Sequence, residues 1–218
     1  MVNKKIINNK YALISVFNKY KLKNICKELT KYNYNFISTG STCKKIKKLG
    51  YKCIEVSRIT NFPEILDGRV KTIHPKLFAS ILFKENNLSH QKQFIKLKIP
   101  KIDIVIVNLY PFQDISEKEK NPEKIIDNID IGGVNLIRAS SKNYQRVAII
   151  SSIEDYSQLT SNIKKNNGLT DLYFREKMAK KSFKLVSKYD ESIFLWFNRS
   201  ESQKKRLPLK YGENPNQK

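Results

Sequence analysis

Short apolar runs alternate with helical patterns, and this alternation constrains the fold more than any other feature of the sequence. Tyr11–Phe17, Asn35–Thr39 and Lys52–Ser57 are short segments rich in strand-forming residues. Leu22–Leu29 and Thr42–Leu49 lie between them and space their apolar residues as a helix does. Strands that alternate with helices form parallel sheets, so the chain is predicted to begin with a βαβαβ unit.

The alternation continues in the later part of the chain. Ile102–Leu109 is almost continuously aliphatic, which is typical of a strand covered on both faces, and Val147–Ser151 predicts another strand. Helical or mixed patterns occupy 74–83, 88–99, 122–128, 133–142, 153–164 and 172–198, with Thr170 as the N-cap of the last. The sequence therefore predicts an α/β fold of three layers, with helices on both faces of a mostly parallel sheet.

Two segments lack a clear periodic pattern. Arg58–Thr72 contains Pro63 and Gly68 and is predicted to be a long ordered loop, which in a compact domain is usually functional. Ser200–Lys218 is polar and is predicted to be a linker. We therefore expect one domain over residues 1–199.

Positive charge dominates the composition without pointing to a nucleic-acid partner. The chain carries 42 Lys+Arg against 20 Asp+Glu, a formal net charge of +22. Lysine supplies 35 of these cations, whereas groove and phosphate recognition favours arginine. Lys, Ile and Asn all have A/T-rich codons, and the lysines are scattered along the chain. We therefore favour a solvated surface whose positive charge reflects codon composition, and a basic nucleic-acid-binding module is the alternative.

Cysteine usage and hydropathy indicate the cellular setting. Cys26, Cys43 and Cys53 contain no C-x-x-C pair, and with only two histidines a four-ligand zinc site would need carboxylates. No apolar run approaches the roughly 18 residues that span a bilayer, and Tyr11–Phe17 is too short for a signal sequence. We expect a reduced, soluble, cytoplasmic protein with no metal and no membrane partner.

Polar residues gather where the predicted strands end, and ligands bind at that edge of an open parallel sheet. Ser38–Thr42 is a hydroxyl-rich turn that leads into a helix, whose N-terminal N–H groups favour an anion. Triphosphate and dinucleotide motifs are absent, and alone the turn is more often only a helix cap. Neighbouring strand ends add cations and a hydroxyl that together suit a monophosphate: Lys19, Arg69, Lys71 and Thr72.

Three further features remain open from local sequence alone. Asp130–Gly133 opens a helix, either as an ordinary cap or with glycines that let a ligand approach the backbone. Lys142 stands near the end of that helix, where a cation complements the dipole. Tyr110 precedes Pro111, and its ring serves either packing or chemistry.

Seven motifs occur in one order along the chain. They are S-V-x-x-K (15–19), S-T-G-x-T (38–42), F-P-E-x-x-D-G-R-V-K-T-x-H-P (62–75), V-N-L-Y-P-F (107–112), N-I-D-I-G-G-V (128–134), R-A-x-x-K-N (138–143) and L-x-Y-G-E-N-P-x-Q (209–217). Together they resemble the IMP cyclohydrolase domain of bifunctional AICAR transformylase/IMP cyclohydrolases. The resemblance implies a methylglyoxal-synthase-like fold and covers the chain from about Tyr11 to its last residue.

The resemblance also implies an activity of the cyclic amidine hydrolase class. The carboxamide nitrogen of 5-formamidoimidazole-4-carboxamide ribotide (FAICAR) would attack its own formyl carbon and lose water, giving IMP in the last step of de novo purine synthesis. The resemblance implies a homodimer, and it implies no cofactor or metal.

The last motif normally begins a transformylase domain, so residues 200–218 are expected to be a linker and the first residues of that domain. A transformylase domain or a separate transformylase is the implied partner, and this chain alone is not expected to transfer a formyl group.

Site residues follow from the same resemblance. The nucleotide-binding set is Ser15, Lys19, Thr39, Gly40, Ser41, Thr42, Arg69, Thr72, Asn108, Ile131 and Gly132. The set for chemistry is Lys71, Tyr110, Asp130 and Lys142. Our hypothesis is that Lys71 and the backbone donors after Asp130 stabilise oxyanion character, and that Lys142, oriented by the other two side chains, carries protons.

The sequence departs from the family pattern near the nucleotide-binding residues. Where the family reads S-V-S-D-K-T-G, the substitutions are Phe17, Asn18, Tyr20 and Lys21. Ser41 replaces the second glycine of S-T-G-G-T, and Tyr144 replaces a frequent histidine. None removes a proposed catalytic group. The competing interpretations are a methylglyoxal synthase, an allosteric domain like that of carbamoyl phosphate synthetase, and a noncatalytic remnant.

Overall fold

The computed structural model describes residues 9–204, with side chains for residues 9–199. Its strands are β1 (Lys10–Val16), β2 (Tyr34–Ser38), β3 (Cys53–Glu55), β4 (Ile102–Asn108) and β5 (Ala148–Ile150). They form one sheet in the order β3-β2-β1-β4-β5, and every neighbouring pair is parallel. The predicted α/β class is confirmed, and the sheet is wholly parallel.

Helices connect the strands and continue beyond the sheet. In chain order they are α1 (Leu22–Thr30), α2 (Gly40–Lys48), α3 (Val56–Thr60), α4 (Pro75–Leu82), α5 (Leu88–Leu97), α6 (Phe112–Lys118), α7 (Pro122–Asp127), α8 (Ile131–Lys142), α9 (Tyr156–Lys165) and α10 (Leu172–Lys204). Single 3-10 turns lie at Leu66–Gly68 and Ile153–Asp155.

Helices cover both faces of the sheet. Helix α1 contacts α2 and α9, whereas α4 contacts α3, α5 and α8. Leu13 and Ile14 are neighbours in β1 and are both fully buried, as are Ile104 and Val105 in β4. Because successive strand residues point to opposite faces, their burial requires a helical layer on each side. The three-layer prediction is confirmed.

The order of the strands determines where a ligand can bind. The chain passes from β1 outward to β2 and β3, and then returns to place β4 on the other side of β1. Crossovers in the two directions leave a crevice at the carboxyl ends of β1 and β4, which is the usual ligand site of open α/β sheets.

The predicted loop Arg58–Thr72 is wrong at its start. Helix α3 continues through Thr60, and β3 ends at Glu55 rather than at Ser57. Helix α6 was not predicted at all. Both helices are short and show less than two turns of apolar periodicity, which gives only a weak helical pattern.

Two predictions about α10 also need correction. Asp171, and not Thr170, caps its N-terminus, because Asp171 Oδ1 accepts a hydrogen bond of 2.8 Å from the Phe174 amide. The helix continues through Lys204, beyond its predicted end near Asn198, so the segment predicted as a linker begins as helix. The rest of Ser200–Lys218 lies outside the described residues.

The described chain divides into two compact units. The first comprises the residues up to Tyr110 together with Asp130–Val186, and it holds the whole sheet. The second comprises Pro111–Ile129 and the chain from Ser187 onward, and within it Phe112 packs edge-on against Tyr189 and Trp196. No helix within residues 9–204 combines the length and apolar character needed to cross a membrane.

Candidate active site

The turn after β2 is held against the end of β1 by two hydroxyl groups. Ser38 Oγ donates to the Ile14 carbonyl at 2.6 Å, and Thr42 Oγ1 donates to the Val16 carbonyl at 3.0 Å. Thr42 Oγ1 also accepts from the Val16 amide at 3.4 Å. These hydroxyls are therefore used in positioning the turn, and the N-terminal amides of α2 lie at the carboxyl edge of the sheet.

Gly40 begins α2 with a left-handed backbone, φ +43°, which favours glycine at this position. Its amide donates to Glu64 Oε1 at 3.1 Å. Thr39, which precedes it, is buried, and Ser41, which follows it, is exposed. A carboxylate of the protein therefore occupies the helix terminus at which the sequence predicts a phosphate.

Glu64 reaches this position from a tight turn that contains Arg69. An antiparallel bridge joins Ile65 to Val70, and Leu66, Asp67 and Gly68 between them all have positive φ (53°, 53° and 84°). Left-handed backbone is uncommon for a residue such as leucine and costs free energy. The turn is therefore a strained element at the edge of the sheet.

Lys71 follows this turn and lies near the Glu64 carboxylate. A Cβ placed on Gly68 would lie 3.8 Å from Glu64 Oε2 and 3.8 Å from Lys71 Nζ. The ammonium group of Lys71 is also close enough to Asp130 to lower the pKa of that carboxyl. Lys71 is half-buried and has both the Glu64 and the Asp130 carboxylate in its neighbourhood.

Asp130 caps α8 and brings together two of the predicted catalytic residues. Its Oδ1 accepts from the Gly133 amide at 2.6 Å, and the backbone amide of Tyr110 also donates to this carboxylate. Burial nevertheless raises the pKa of Asp130, because the loss of hydration outweighs these donors and the charge of Lys71. The structure thus brings Lys71, Tyr110 and Asp130 together.

The two glycines after Asp130 make room for protein side chains. A Cβ on Gly132 would lie 2.6 Å from Thr72 Oγ1, and a Cβ on Gly133 would lie 2.5 Å from Asp130 Oδ2. Larger residues would collide with these groups. Thr72 is buried against the start of α8, and the exposed Ile131 lies in the same first turn.

The ends of β1 and β4 are joined by a reciprocal pair of hydrogen bonds. Asn108 Oδ1 accepts from the Asn18 amide, and Asn108 Nδ2 donates to the Asn18 carbonyl, both at 2.9 Å. The Phe17 ring packs on Tyr110 with centroids 4.7 Å apart, and Lys19 Nζ donates to the Phe17 carbonyl. Asn108 therefore holds the β1 loop, a role that the resemblance did not assign to it.

Lys142 is not part of this cluster. It lies in the last turn of α8, a helix of 12 residues, so about 18 Å of helix separates it from the Asp130 cap. The described geometry does not support a network in which Tyr110 and Asp130 orient Lys142. The other predicted residues lie at or beside the carboxyl edge, with Ser15 one residue before the end of β1.

Two residues at the edge were missed as functional candidates. Glu64 is the acid of the F-P-E motif, but its sequence context gave no reason to place it at α2. Phe17 was noted only as a departure from the family pattern, although it packs on Tyr110. Among the described side chains, no group of three or more His, Cys, Asp or Glu residues is arranged to hold a metal ion.

A parallel sheet with polar groups at the crevice between the carboxyl ends of β1 and β4, its switch point, is the architecture of a ligand-binding α/β domain. Residues 21–135, more than half of the chain, match the family model of the MGS-like domain. The chain belongs to this family. Residues 140–218 match a second family model, the AICARFT/IMPCHase bienzyme.

Curated relatives confirm the resemblance given by the motifs. The chain is 41% identical over 215 residues to the bifunctional purine biosynthesis protein PurH of Bacteroides thetaiotaomicron, covering 96% of this chain and 42% of the relative. It is 42% identical over 217 residues to the protein of the same name from Clostridium botulinum strain Eklund 17B, covering 95% and 43%. The corresponding protein of Caldicellulosiruptor bescii is 41% identical over 222 residues, with 96% and 43% covered. The chain thus spans less than half the length of these relatives.

A solved structure supports the fold independently. The structure titled "Crystal structure of ForH" matches with a TM-score of 0.77 at 24% identity, over 87% of this chain and 97% of that chain. At this identity the likeness concerns the fold alone.

Proposed function

We propose that this chain carries IMP cyclohydrolase activity and converts FAICAR to IMP. The observation that carries the proposal is the meeting of Lys71, Tyr110 and Asp130 beside the N-terminus of α2, at the switch point of the sheet. The similarity to the PurH proteins supports the substrate class.

The phosphate of the ribotide is proposed to bind at the N-terminus of α2. The amides at a helix start point at an anion, and the helix dipole adds a favourable field. Arg69 and Lys19 lie on neighbouring loops and would supply positive charge, while Thr39 and Ser41 flank the first amide. Thr42 and Asn108 are proposed to serve binding by holding the turn and the β1 loop in place. The remaining members of the binding set are proposed to contact the ribose and the imidazole: Ser15, Thr72, Ile131 and Gly132.

The ring closure has simple requirements because both reacting groups belong to one molecule. The carboxamide nitrogen attacks the formyl carbon, and the formyl oxygen gains negative charge. This oxygen then takes up two protons, balanced by one lost from the carboxamide nitrogen and one lost from the formamide nitrogen, and leaves as water. No electrons and no second substrate are consumed. The enzyme has to hold the reactive rotamer and to move protons.

Lys71 is proposed to stabilise the developing oxyanion. The Gly133 amide already binds Asp130, so the backbone donors proposed for the substrate are those of Ile131 and Gly132. Asp130 is proposed to take the proton from the attacking nitrogen, a task that its raised pKa suits. Tyr110 is proposed to position the imidazole.

The wider assignments follow from the same proposal. We propose that residues 1–199 form the cyclohydrolase domain and that 200–218 lead into a transformylase domain, as in a bifunctional protein. A homodimer in the cytoplasm with a transformylase as functional partner completes the proposal. Lys142 stays a separate hypothesis, because a direct proton transfer requires contact with the reacting groups.

The test is to add FAICAR to the purified 218-residue chain and follow IMP formation by absorbance. We expect IMP to form faster than in buffer, and Lys71→Ala to lower kcat about 100-fold or more, as loss of one oxyanion donor does. Lys44→Ala, an exposed lysine on α2, is the matched control and should leave the rate unchanged. A rate equal to that in buffer for the unmodified chain would contradict the proposal.

A further inference from the structure

The Glu64 carboxylate lies where the substrate phosphate is proposed to bind. Its Oε1 accepts from the Gly40 amide at 3.1 Å. A Cβ on Gly40 would lie 3.7 Å from each of the two carboxylate oxygens, so the whole charged group faces the start of α2. A carboxylate and a phosphate both seek this amide and the dipole behind it, and they are alternatives for it.

The Glu64 carboxylate also lies near Lys71, the residue proposed to stabilise the oxyanion. Glu64 Oε2 and Lys71 Nζ approach the same face of Gly68, each 3.8 Å from the position of its missing Cβ. A phosphate that replaced the carboxylate would also take over its charge beside Lys71. Two anions at this place would repel each other, because like charges would lie close together, and they would compete for the same donors at the N-terminus of α2.

The segment that carries Glu64 is built to be displaced. Glu64 is exposed, as are Ile65, Leu66 and Asp67 after it. Leu66 and Asp67 hold left-handed backbone without being glycine. Little buried apolar surface is lost if this segment moves, and its strain offsets part of the contact that Glu64 makes with α2.

We propose that Glu64 is an internal competitor of the ligand phosphate and thereby determines which anions the site accepts. This inference rests on the phosphate site of the proposed function. An anion binds only if it displaces the tethered carboxylate, which a phosphate monoester dianion does more readily than a singly charged anion. Glu64 keeps the site closed to weakly bound anions and leaves when the ribotide phosphate arrives.

The experiment compares three chains by calorimetric titration with inorganic phosphate and with ribose 5-phosphate. Glu64→Gln removes the charge and keeps the shape of the side chain. Asp67→Asn is the matched control, because it removes one charge from the same turn, asparagine tolerates left-handed backbone, and no contact with Gly40 is lost. Thermal unfolding establishes that all three chains are folded.

We expect Glu64→Gln to bind both probes about 10-fold more tightly, since the ligand no longer exchanges with a charge-assisted contact. Asp67→Asn should stay within about 2-fold of the unmodified chain, as expected for a screened surface charge. Glu64→Asp, whose shorter side chain no longer reaches Gly40, should fall between the two.

Equal affinities in the unmodified chain and Glu64→Gln would overturn the competition and leave the phosphate site standing. Weaker binding by Glu64→Gln would also overturn it, because the carboxylate would then assist the ligand. Absence of binding in all chains would overturn the inference together with the phosphate site. FAICAR cyclisation, measured on the same samples, reports separately on the proposed activity.

Discussion

At the amino ends of the strands, a half-buried arginine binds backbone carbonyl groups of the protein. Arg146 donates hydrogen bonds of 2.8 Å to the carbonyl oxygens of Ile102, Ser80 and Ile81, and its guanidinium lies 4.4 Å from the Phe83 ring centroid. Burial lowers the pKa of Arg146 to about 10. These bonds join β4 to the end of α4, so the Arg146 guanidinium stabilises the fold.

At the carboxyl ends, the described contacts of the site are made mainly by carboxylates that accept hydrogen bonds from backbone amides. Asp130 accepts from the amides of Gly133 and Tyr110 with Lys71 nearby, and Glu64 accepts from Gly40. The two edges thus differ in their donors, since a guanidinium donates to carbonyl oxygens at one edge and backbone amides donate to carboxylates at the other; the proposed function uses the second edge for the ligand.

The largest effect is expected for Asp130→Asn. We expect kcat for FAICAR cyclisation to fall about 1,000-fold, because the amide cannot accept the proton that the carboxylate takes. The unfolding temperature should hardly change, since asparagine is as good an N-cap as aspartate.

Asp171→Asn is the matched control for that variant, because Asp171 also caps a helix and accepts the amide of Phe174. It should leave the cyclisation rate within about 2-fold, as a cap away from the site should. An equal loss of rate in both variants would mean that Asp130 acts only as a cap.

Next comes Arg146→Met at the opposite edge. Loss of the guanidinium removes one donor from each of three carbonyl oxygens, of which that of Ile81 keeps Asn143 Nδ2, and we expect the free energy of unfolding to drop by about 3 kcal/mol. Denaturant titration measures this drop. Arg138→Met, an exposed arginine on α8, should change stability by less than about 0.5 kcal/mol. If the two variants were equally stable, the amino edge would not depend on this cation.

The pH profile should show the raised pKa of Asp130. Its carboxylate form accepts a proton, so kcat should fall as pH drops through a pKa that burial holds above the ordinary value of about 4. The decline is expected to approach about 10-fold per pH unit below that pKa. The residual rate of Asp130→Asn should lack this limb; the same limb in both chains would assign it to another group.

A smaller effect is expected for Phe17→Ser, which restores the serine of the family pattern. The Tyr110 ring loses its aromatic neighbour, and we expect kcat/KM to fall about 5-fold, as for the loss of one aromatic pair. Tyr20→Ser, another exposed aromatic of the same loop, is the control and should have no effect. An increase in kcat/KM would show that Phe17 obstructs the site.

The smallest effect is expected for Lys142→Met. Its distance from the Asp130 cap predicts a change in cyclisation rate of less than about 3-fold. A loss of cyclisation rate near that of Asp130→Asn, with nucleotide binding unchanged, would restore the proton role of Lys142. Lys142 would then have to contact the substrate in an arrangement other than the one described.

Much of the fold could be predicted from local pattern. The aliphatic run of β4 and the hydroxyl-rich turn before α2 were both located within one or two residues. The short helices α3 and α6 were missed, because five and seven residues display only a weak apolar periodicity. The large distance between Lys142 and Asp130 could have been predicted, because the two residues lie at opposite ends of a 12-residue helix.

Sequence alone determined the strand order along the chain, the helical coverage and the identity of most polar groups at the carboxyl edge, because periodicity and motifs are local properties. Only the tertiary structure decided which of those groups meet. Glu64 reaches Gly40 across 24 residues, and Asn108 holds Asn18 across 90. Such contacts depend on how crossovers bring strand ends together, and no spacing along the chain encodes them.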